Sequence, residues 1–288
     1  MPDNPKLAVI GGSGLYELSG LKNQQVFDIS TPFGKPSAPI IVGKVDQQPV
    51  AFLARHGIGH SISPSEINFR ANIYALKTLG VERIISVSAC GSLREDFAPR
   101  NIVIPDQLFD FTKGRRNSFF SDGIVSHISV DKPFCIDFSN ILYSSLVETG
   151  AIVHKGGSFI TIEGPRFSTQ AESNVFRSWG MSIIGMTTAP EAFLAREAEM
   201  CYAVMAHVTD YDVWHVSEEP VTVEMVIEIL EQNTEIARRA ILNVVQNLPE
   251  TRDCRCKNAL ADSLITNPNQ IPPETRARLD LLVKKYLE

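Results

Sequence analysis

Two carboxylates one residue apart, Asp210 and Asp212, close a stretch that begins as a continuous apolar run, Cys201-Tyr-Ala-Val-Met-Ala206. The run has the look of a strand buried on both faces of a parallel sheet. A buried carboxylate pair accepts hydrogen bonds, and one member whose pKa is raised by burial or by its neighbour delivers a proton. Ligands of open α/β sheets bind beyond the carboxyl ends of strands, where this pair stands. Asp is also a common loop and cap residue, so this stretch alone leaves a site and a cap both open.

Five further strand ends carry polar groups. Gly11-Gly-Ser13-Gly14 follows the apolar run Leu7–Ile10 and offers backbone N–H groups and a hydroxyl, a plausible phosphate cradle. It lacks both the G-x-G-x-x-G pattern and the P-loop lysine, so a tight structural turn competes. Arg55-His56-Gly57 presents a planar guanidinium for bidentate oxyanion contact and an imidazole as a second donor, with His60 nearby. A surface ion pair is the plainer alternative. In Ser88-Ala89-Cys90-Gly91-Ser92, small side chains admit close approach to the backbone, and Ser88 can donate to an anion. Glu163-Gly-Pro-Arg166-Phe167-Ser168 places an aromatic face beside an acid and a base that equally make an ion pair with each other. Met186-Thr187-Thr188 sets a flexible apolar side chain beside hydroxyls, or Met186 is simply core. Each is weak alone. Gathered at one sheet edge, anion donors, an aromatic platform and a carboxylate pair point to a ligand holding phosphate and a heterocycle.

The elements that must position them are mostly legible. Ile40–Val42 and Val50–Leu53 read as strands around a polar turn, Asp46-Gln-Gln-Pro49. Ser63 as N-cap, Pro64 and Glu66 signal a helix with a Phe69, Ile73, Leu76 stripe and a stop at Gly80. The strand Arg83–Val87 follows, giving a β-α-β unit and a parallel pair. Residues 109–135 are Phe- and Arg-rich without a period, and too long for a simple connection. A helix from about Phe138 to Thr149, strands at Ser158–Ile162 and Ser182–Met186, a capping box at Thr169-Gln-Ala-Glu172 and a helix from Thr222 to about Asn247 complete the alternation. The expectation is one α/β domain over 1–249. Residues 250–288 form a polar, Pro-rich tail whose terminal helix, starting at Pro273, packs on the same domain or on a neighbouring subunit.

Composition excludes some classes. The net charge of −6, from 27 basic and 33 acidic residues, carries no basic excess for a nucleic-acid partner. No apolar run approaches the ~20 residues of a membrane span, and no signal peptide is visible, so a cytoplasmic protein is expected. Cysteines stand at 90, 135, 201, 254 and 256. Cys254-Arg-Cys256 lacks the C-x-x-C spacing and a second pair to complete a metal site, so it reads as two incidental thiols or a labile disulfide, and no metal is expected.

The motifs Gly11–Gly14, Thr31-Pro-Phe-Gly-Lys-Pro36, Ala54-Arg-His-Gly57, Ala89-Cys-Gly-Ser-Leu-Arg94, Glu163–Ser168, Met186–Thr188 and Thr209-Asp-Tyr-Asp-Val-Trp214 closely resemble the methylthioadenosine phosphorylases, in the trimeric branch of the purine nucleoside phosphorylase family. The resemblance runs from about residue 6 to 247. It implies a single α/β domain whose central mixed sheet, part of it closed like a barrel, is flanked by helices. It implies a homotrimer, no cofactor, and phosphate attack on the anomeric carbon of methylthioadenosine. By motif, Ser13, Arg55, His56, Ser88 and Thr187 are implied to hold phosphate. Ala89, Cys90, Gly91 and Met186 line the nucleoside site, and Phe167 and Ser168 lie beside the base. Asp210 serves N7 and Asp212 the 6-amino group. Val223, Val226 and Ile227 form the methylthio wall, and His127 reaches a neighbour's site. A same-fold phosphorylase of 6-oxopurine nucleosides or methylthioinosine is the first alternative. A noncatalytic nucleotide-binding protein is the second.

Overall fold

Runs of Leu, Ile, Val and Ala build a central sheet, and helices cover its two faces. In this computed structural model the described residues are 4–11, 22–215 and 223–287, and the side chains at 223, 225–228 and 230–232 also lie outside the description. The elements are β1 (Leu7–Gly11), β2 (Lys22–Phe27), β3 (Ile40–Val45), β4 (Gln48–Ala54), α1 (Phe69–Thr78), β5 (Arg83–Ser92), β6 (Ile102–Ile104), β7 (Gln107–Phe111) and α2 (Ile136–Val147). Then come β8 (Val153–Lys155), β9 (Ser158–Ile162), α3 (Gln170–Ser178), β10 (Ile183–Gly185), α4 (Thr188–Glu197), β11 (Cys201–Asp210), α5 (Val223–Asn247) and α6 (Pro273–Leu287).

The sheet is mixed and runs β2-β3-β4-β1-β5-β10-β9-β7, with β11, β6 and β8 branching from β5. Its centre is the parallel set β4, β1, β5 and β11. The expected β-α-β pair is corrected in one respect, because β1 lies between β4 and β5 and pairs with both. The barrel-like closure is corrected too. Among the described residues the sheet stays open and divides at β5, which pairs with β1 near its start, with β11 along most of its length and with β10 at its end.

Local signals decide some boundaries and tertiary contacts others. Ser63 and Glu66 make only half of the expected box: the Ser63 N–H and hydroxyl both donate to Glu66 Oε2, while the Glu66 N–H goes to Ser63 O rather than to its hydroxyl. They make only a turn, however. The helix starts at Phe69 with Asn68 as its cap, and Asn68 Nδ2 also donates to Phe33 O at 2.7 Å, so a distant loop helps select the cap. The Thr169/Glu172 capping box opens α3 as the sequence signals. The all-buried β11 likewise matches its apolar reading. Helix α4 carried no signal: nine of its ten residues are buried, so no polar face marks it. Strands β2, β6, β7 and β8 are short or polar and gain their identity only from pairing partners.

The core has a layer on each sheet face, one built with α1 and α4, the other with α2 and α5. The tail joins both. Leu279, Leu282 and Val283 of α6 enter the first layer, and Cys256 enters the second. The expectation that Cys254 and Cys256 lack a second pair is corrected here, because folding brings Cys135 and Cys201 to them. Among the described residues no helix is long and apolar enough to cross a membrane.

Candidate active site

The carboxylate pair sits where β11 leaves the sheet. The register between β11 and β5 slips between Val208 and Asp210, a bulge that re-aims the end of the strand. Asp210 is buried. Its Oδ2 accepts from Thr209 Oγ1 at 2.6 Å and its Oδ1 from the Asp212 N–H at 2.7 Å. Burial pushes its pKa up to about 6; the two donors oppose this, and the neighbouring Asp212 charge reinforces it. Asp212 adopts a left-handed conformation (φ 52°), which turns the chain back over Asp210. Burial raises its pKa as well, against the nearby Ser173 hydroxyl, and its Oδ2 has no hydrogen-bond partner among the described residues. A buried acceptor of this kind costs free energy until a donor meets it.

Gly91 makes this close approach possible. A Cβ there would lie 2.9 Å from Asp210 Oδ1 and 3.2 Å from Asp212 Cβ. Gly91→Ala is therefore expected to displace both carboxylates and lower turnover by on the order of 10²-fold while the protein stays folded. Unchanged steady-state rates in a folded variant would show that the contact has no bearing on catalysis.

The expected anion side is rearranged. Arg55 is not an open oxyanion fork. It is 1% exposed, and it donates from Nε and Nη2 to both oxygens of the fully buried Glu191, each at 2.8 Å. Its Nη2 also reaches Ser86 Oγ at 2.7 Å, and Nη1 reaches Val87 O at 3.1 Å. Arg55 thus ties the end of β4 to β5 and α4. Sequence reasoning missed Glu191 and Tyr202, whose hydroxyl donates to Glu191 Oε1 at 2.8 Å; both lie in stretches that read as plain core.

His56 differs from its expected donor role. Burial, with the Arg55 charge beside it, pushes its pKa down to about 4, so the ring is neutral near pH 7. Nδ1 lies 2.9 Å from Ile62 O, an acceptor only, so Nδ1 carries the proton and Nε2 presents a lone pair. Ser88 is buried on β5, with its Oγ 3.5 Å from Ser86 Oγ, and Thr187 is the buried residue ahead of α4. Ser13 lies outside the described residues.

The strand ends do not share one edge, a further correction. β9 and β10 are parallel to each other, but β10 runs antiparallel to β5, with Ile184 opposite Gly91. β10 ends at Gly185, where a Cβ would lie 3.5 Å from Ala89 O, and Met186 and Thr187 follow directly beyond that approach. The site therefore forms where two oppositely directed sets of strand ends meet across β5. Ala89 is partly exposed between buried neighbours, whereas Cys90 is buried and its thiol donates to His207 O at 3.4 Å. Cys90 therefore contributes backbone and bulk.

Arg115, from the irregular segment, joins the second set. It donates to Glu163 Oε1 at 2.9 Å, Glu163 O at 2.6 Å, Met186 O at 2.7 Å and Ala189 O at 2.9 Å. The Glu163–Arg166 pair weighed from sequence is replaced: Glu163 pairs with Arg115, and Arg166 holds Glu172 with two bonds. Phe167 is 39% exposed, and the buried Ser168 Oγ has no partner among the described residues. His127 is exposed, its N–H donating to Ser263 O. Val223, Val226 and Ile227 fall in α5, but their side chains lie outside the described residues.

This architecture has close parallels. The family model described as "Phosphorylase superfamily" matches residues 6–246. The S-methyl-5′-thioadenosine phosphorylase of Geobacter sulfurreducens is 51% identical over 98% of this chain and 99% of its own. The chain belongs to the S-methyl-5′-thioadenosine phosphorylase family. A methylthioadenosine phosphorylase from an Antarctic soil metagenomic library superposes with a TM-score of 0.92 at 44% identity, covering 96% of this chain and 98% of that one. The Schistosoma mansoni methylthioadenosine phosphorylase, solved with adenine, gives 0.83 at 35% identity, covering 97% and 98%. Membership in the S-methyl-5′-thioadenosine phosphorylase family makes the protein a pentosyl-transferring phosphorylase.

Proposed function

We propose that this protein catalyses phosphorolysis of S-methyl-5′-thioadenosine to adenine and 5-methylthioribose 1-phosphate, reversibly and with inversion at the anomeric carbon. The observation that carries the reading is the buried pair at the end of β11, in which Asp210 has a raised pKa and Asp212 has an oxygen without a partner among the described residues. A phosphate oxygen attacks C1′, the C1′–N9 bond breaks, and its electron pair passes into the purine. Asp210 hands N7 the proton that neutralises the leaving base. Asp212 Oδ2 accepts from the 6-amino group. A 6-oxopurine would set an acceptor against that acceptor, which disfavours the inosine-type alternative.

On the other side, Ser88, Thr187 and Ser13 donate to phosphate. The lone pair on neutral His56 Nε2 accepts from the remaining P–OH of the hydrogenphosphate dianion. Arg55, with its charge balanced by Glu191, orients the β4 and β5 ends rather than clamping the anion. Ala89, Gly91 and Met186 line the ribose, and Phe167 and Ser168 flank the base. Val223, Val226 and Ile227 take the methylthio group. The reading calls for no cofactor and no metal in the reaction.

It also includes a homotrimer, a cytoplasmic place, and a role in purine and methionine salvage. An exposed aromatic group, Phe109, Phe111 and Trp179, supports a subunit contact, and the exposure of His127 suits a residue that serves a neighbour. The test measures base release from methylthioadenosine, adenosine, methylthioinosine and inosine, with and without phosphate, alongside the light-scattering mass. Phosphate-dependent adenine release, fastest from methylthioadenosine, and a three-chain mass are expected. Preference for the 6-oxo substrates would overturn the substrate assignment, and a one-chain mass the trimer.

A further inference from the structure

Four of the five cysteines converge far from the acids. The Sγ atoms of Cys135, Cys201, Cys254 and Cys256 all lie within 4.8 Å of one another. Cys135 precedes α2 and donates its N–H to Tyr202 O at 2.9 Å, which fixes it against β11. Cys201 opens β11. Cys254 and Cys256 come from the tail, at the head of the 3-10 turn Arg255–Asn258. Three separate chain segments thus deliver thiols to one point.

We propose that these four cysteines bind a single zinc ion as a closed, structural tetrathiolate site. Tetrahedral zinc with Zn–S bonds of ~2.3 Å sets its sulfurs roughly 3.8 Å apart, a spacing this cluster reaches by small side-chain adjustments. Four thiolates are the donor set of zinc rather than of magnesium, calcium or manganese. Binding Zn²⁺ breaks four S–H bonds and releases four protons to solvent, with no change of oxidation state.

The surroundings suit a structural site. Cys135, Cys201 and Cys256 are 3%, 2% and 3% exposed, and all three belong to the apolar layer beneath α2 and α5. Zinc with four thiolates carries a net charge of −2, which needs offsetting in such a place. Arg252 Nη1 lies 3.8 Å from Cys201 Sγ and is held there by Nε pairing with Glu82 at 3.1 Å. Donation from such a group to a ligating sulfur is the usual support for metal thiolates. All four are free thiols here, and Cys201 Sγ and Cys254 Sγ stand 3.3 Å apart, unbonded.

The ion would have a mechanical role. It would fasten the tail to the start of β11, at the end of that strand opposite Asp210. Ten residues separate the two ends, about 30 Å of strand. The site therefore stands apart from the reaction.

The test uses the full chain purified under mild reductant without chelator. Elemental mass spectrometry is expected to find about one zinc per chain, and a Cys254→Ser/Cys256→Ser double variant to have lost it. Cobalt(II) added to the stripped wild-type protein should give thiolate charge-transfer bands and the intense visible bands of tetrahedral cobalt, saturating at one equivalent. The wild-type measurements stand even if the variant folds poorly. Metal-free protein with four titratable thiols and no cobalt bands would overturn the proposal. An intact mass short of four hydrogens, marking two disulfides, would overturn it equally.

Discussion

Asp210→Asn is expected to lower kcat for phosphorolysis of methylthioadenosine by roughly 10²–10⁴-fold, the range for loss of a positioned general acid. The amide keeps the size of the carboxyl: its oxygen still accepts from the Asp212 N–H, and its NH2 faces Thr209 Oγ1, whose own proton then turns to Cys90 O. It still offers an N–H toward N7, but it cannot release that proton to the departing base. Substrate binding should change far less than turnover, which separates a lost acid from a disrupted pocket. The pH profile carries the same signature. Asp210 acts in its protonated form, and with a pKa of about 6 that form is full well below pH 6 and lost above it. At saturating phosphate, wild-type kcat/KM for methylthioadenosine should therefore fall with rising pH, approaching tenfold per unit, while the residual activity of the variant stays flat across that window. A variant that keeps near-wild-type turnover would remove Asp210 from the proton-donating role.

The second large effect concerns stability. Among the described residues, Arg55→Met leaves the buried Glu191 carboxylate with the Tyr202 hydroxyl alone in place of a two-pronged guanidinium. Breaking one side of a buried pair typically costs about 3–5 kcal/mol, because the surviving charge has neither water nor partner. In a chain of this size that amounts to a fall in Tm of about 10 °C. Arg55→Lys should rescue little, since a point-charge ammonium cannot reproduce the planar fork that meets Glu191, Ser86 and Val87 together. The double variant Arg55→Met/Glu191→Leu should recover much of the loss, since it removes both charges. Calorimetry on the three variants checks this. A single variant within 1 °C of wild type would mean that the pair contributes nothing net.

The same contact shows how far sequence reaches. Arg55-His56 at a strand end reads as an anion fork because residue type and position are both right for one. The counter-charge that occupies the fork is Glu191, more than a hundred residues away and on a helix with no polar face to reveal it. Arg115 and Glu163 follow the same pattern, as each looks free until the loops meet. Direction is another such property. Nothing in Ser158–Ile162 or Ser182–Met186 states that these strands oppose β5, since strand polarity follows from connections and pairing rather than from composition. The four thiols are the extreme case: Cys254-Arg-Cys256 lacks a second pair in sequence and finds one only in space.

The sequence by itself determined what depends on short range and on residue type. It set the apolar strand runs, the Thr169 capping box, the glycine at 91, and above all two acids placed where a fully buried strand ends. Burial, charge and chain reversal around that pair were decided by the tertiary structure. The bulge between Val208 and Asp210, the left-handed Asp212 and the side-chain-free Gly91 bring the carboxylates together in a place largely shielded from water. Desolvation there turns Asp210 from an ordinary carboxylate into an acid with a pKa of about 6. A desolvation free energy depends on everything packed around the group, so it belongs to the fold and not to any stretch of the chain.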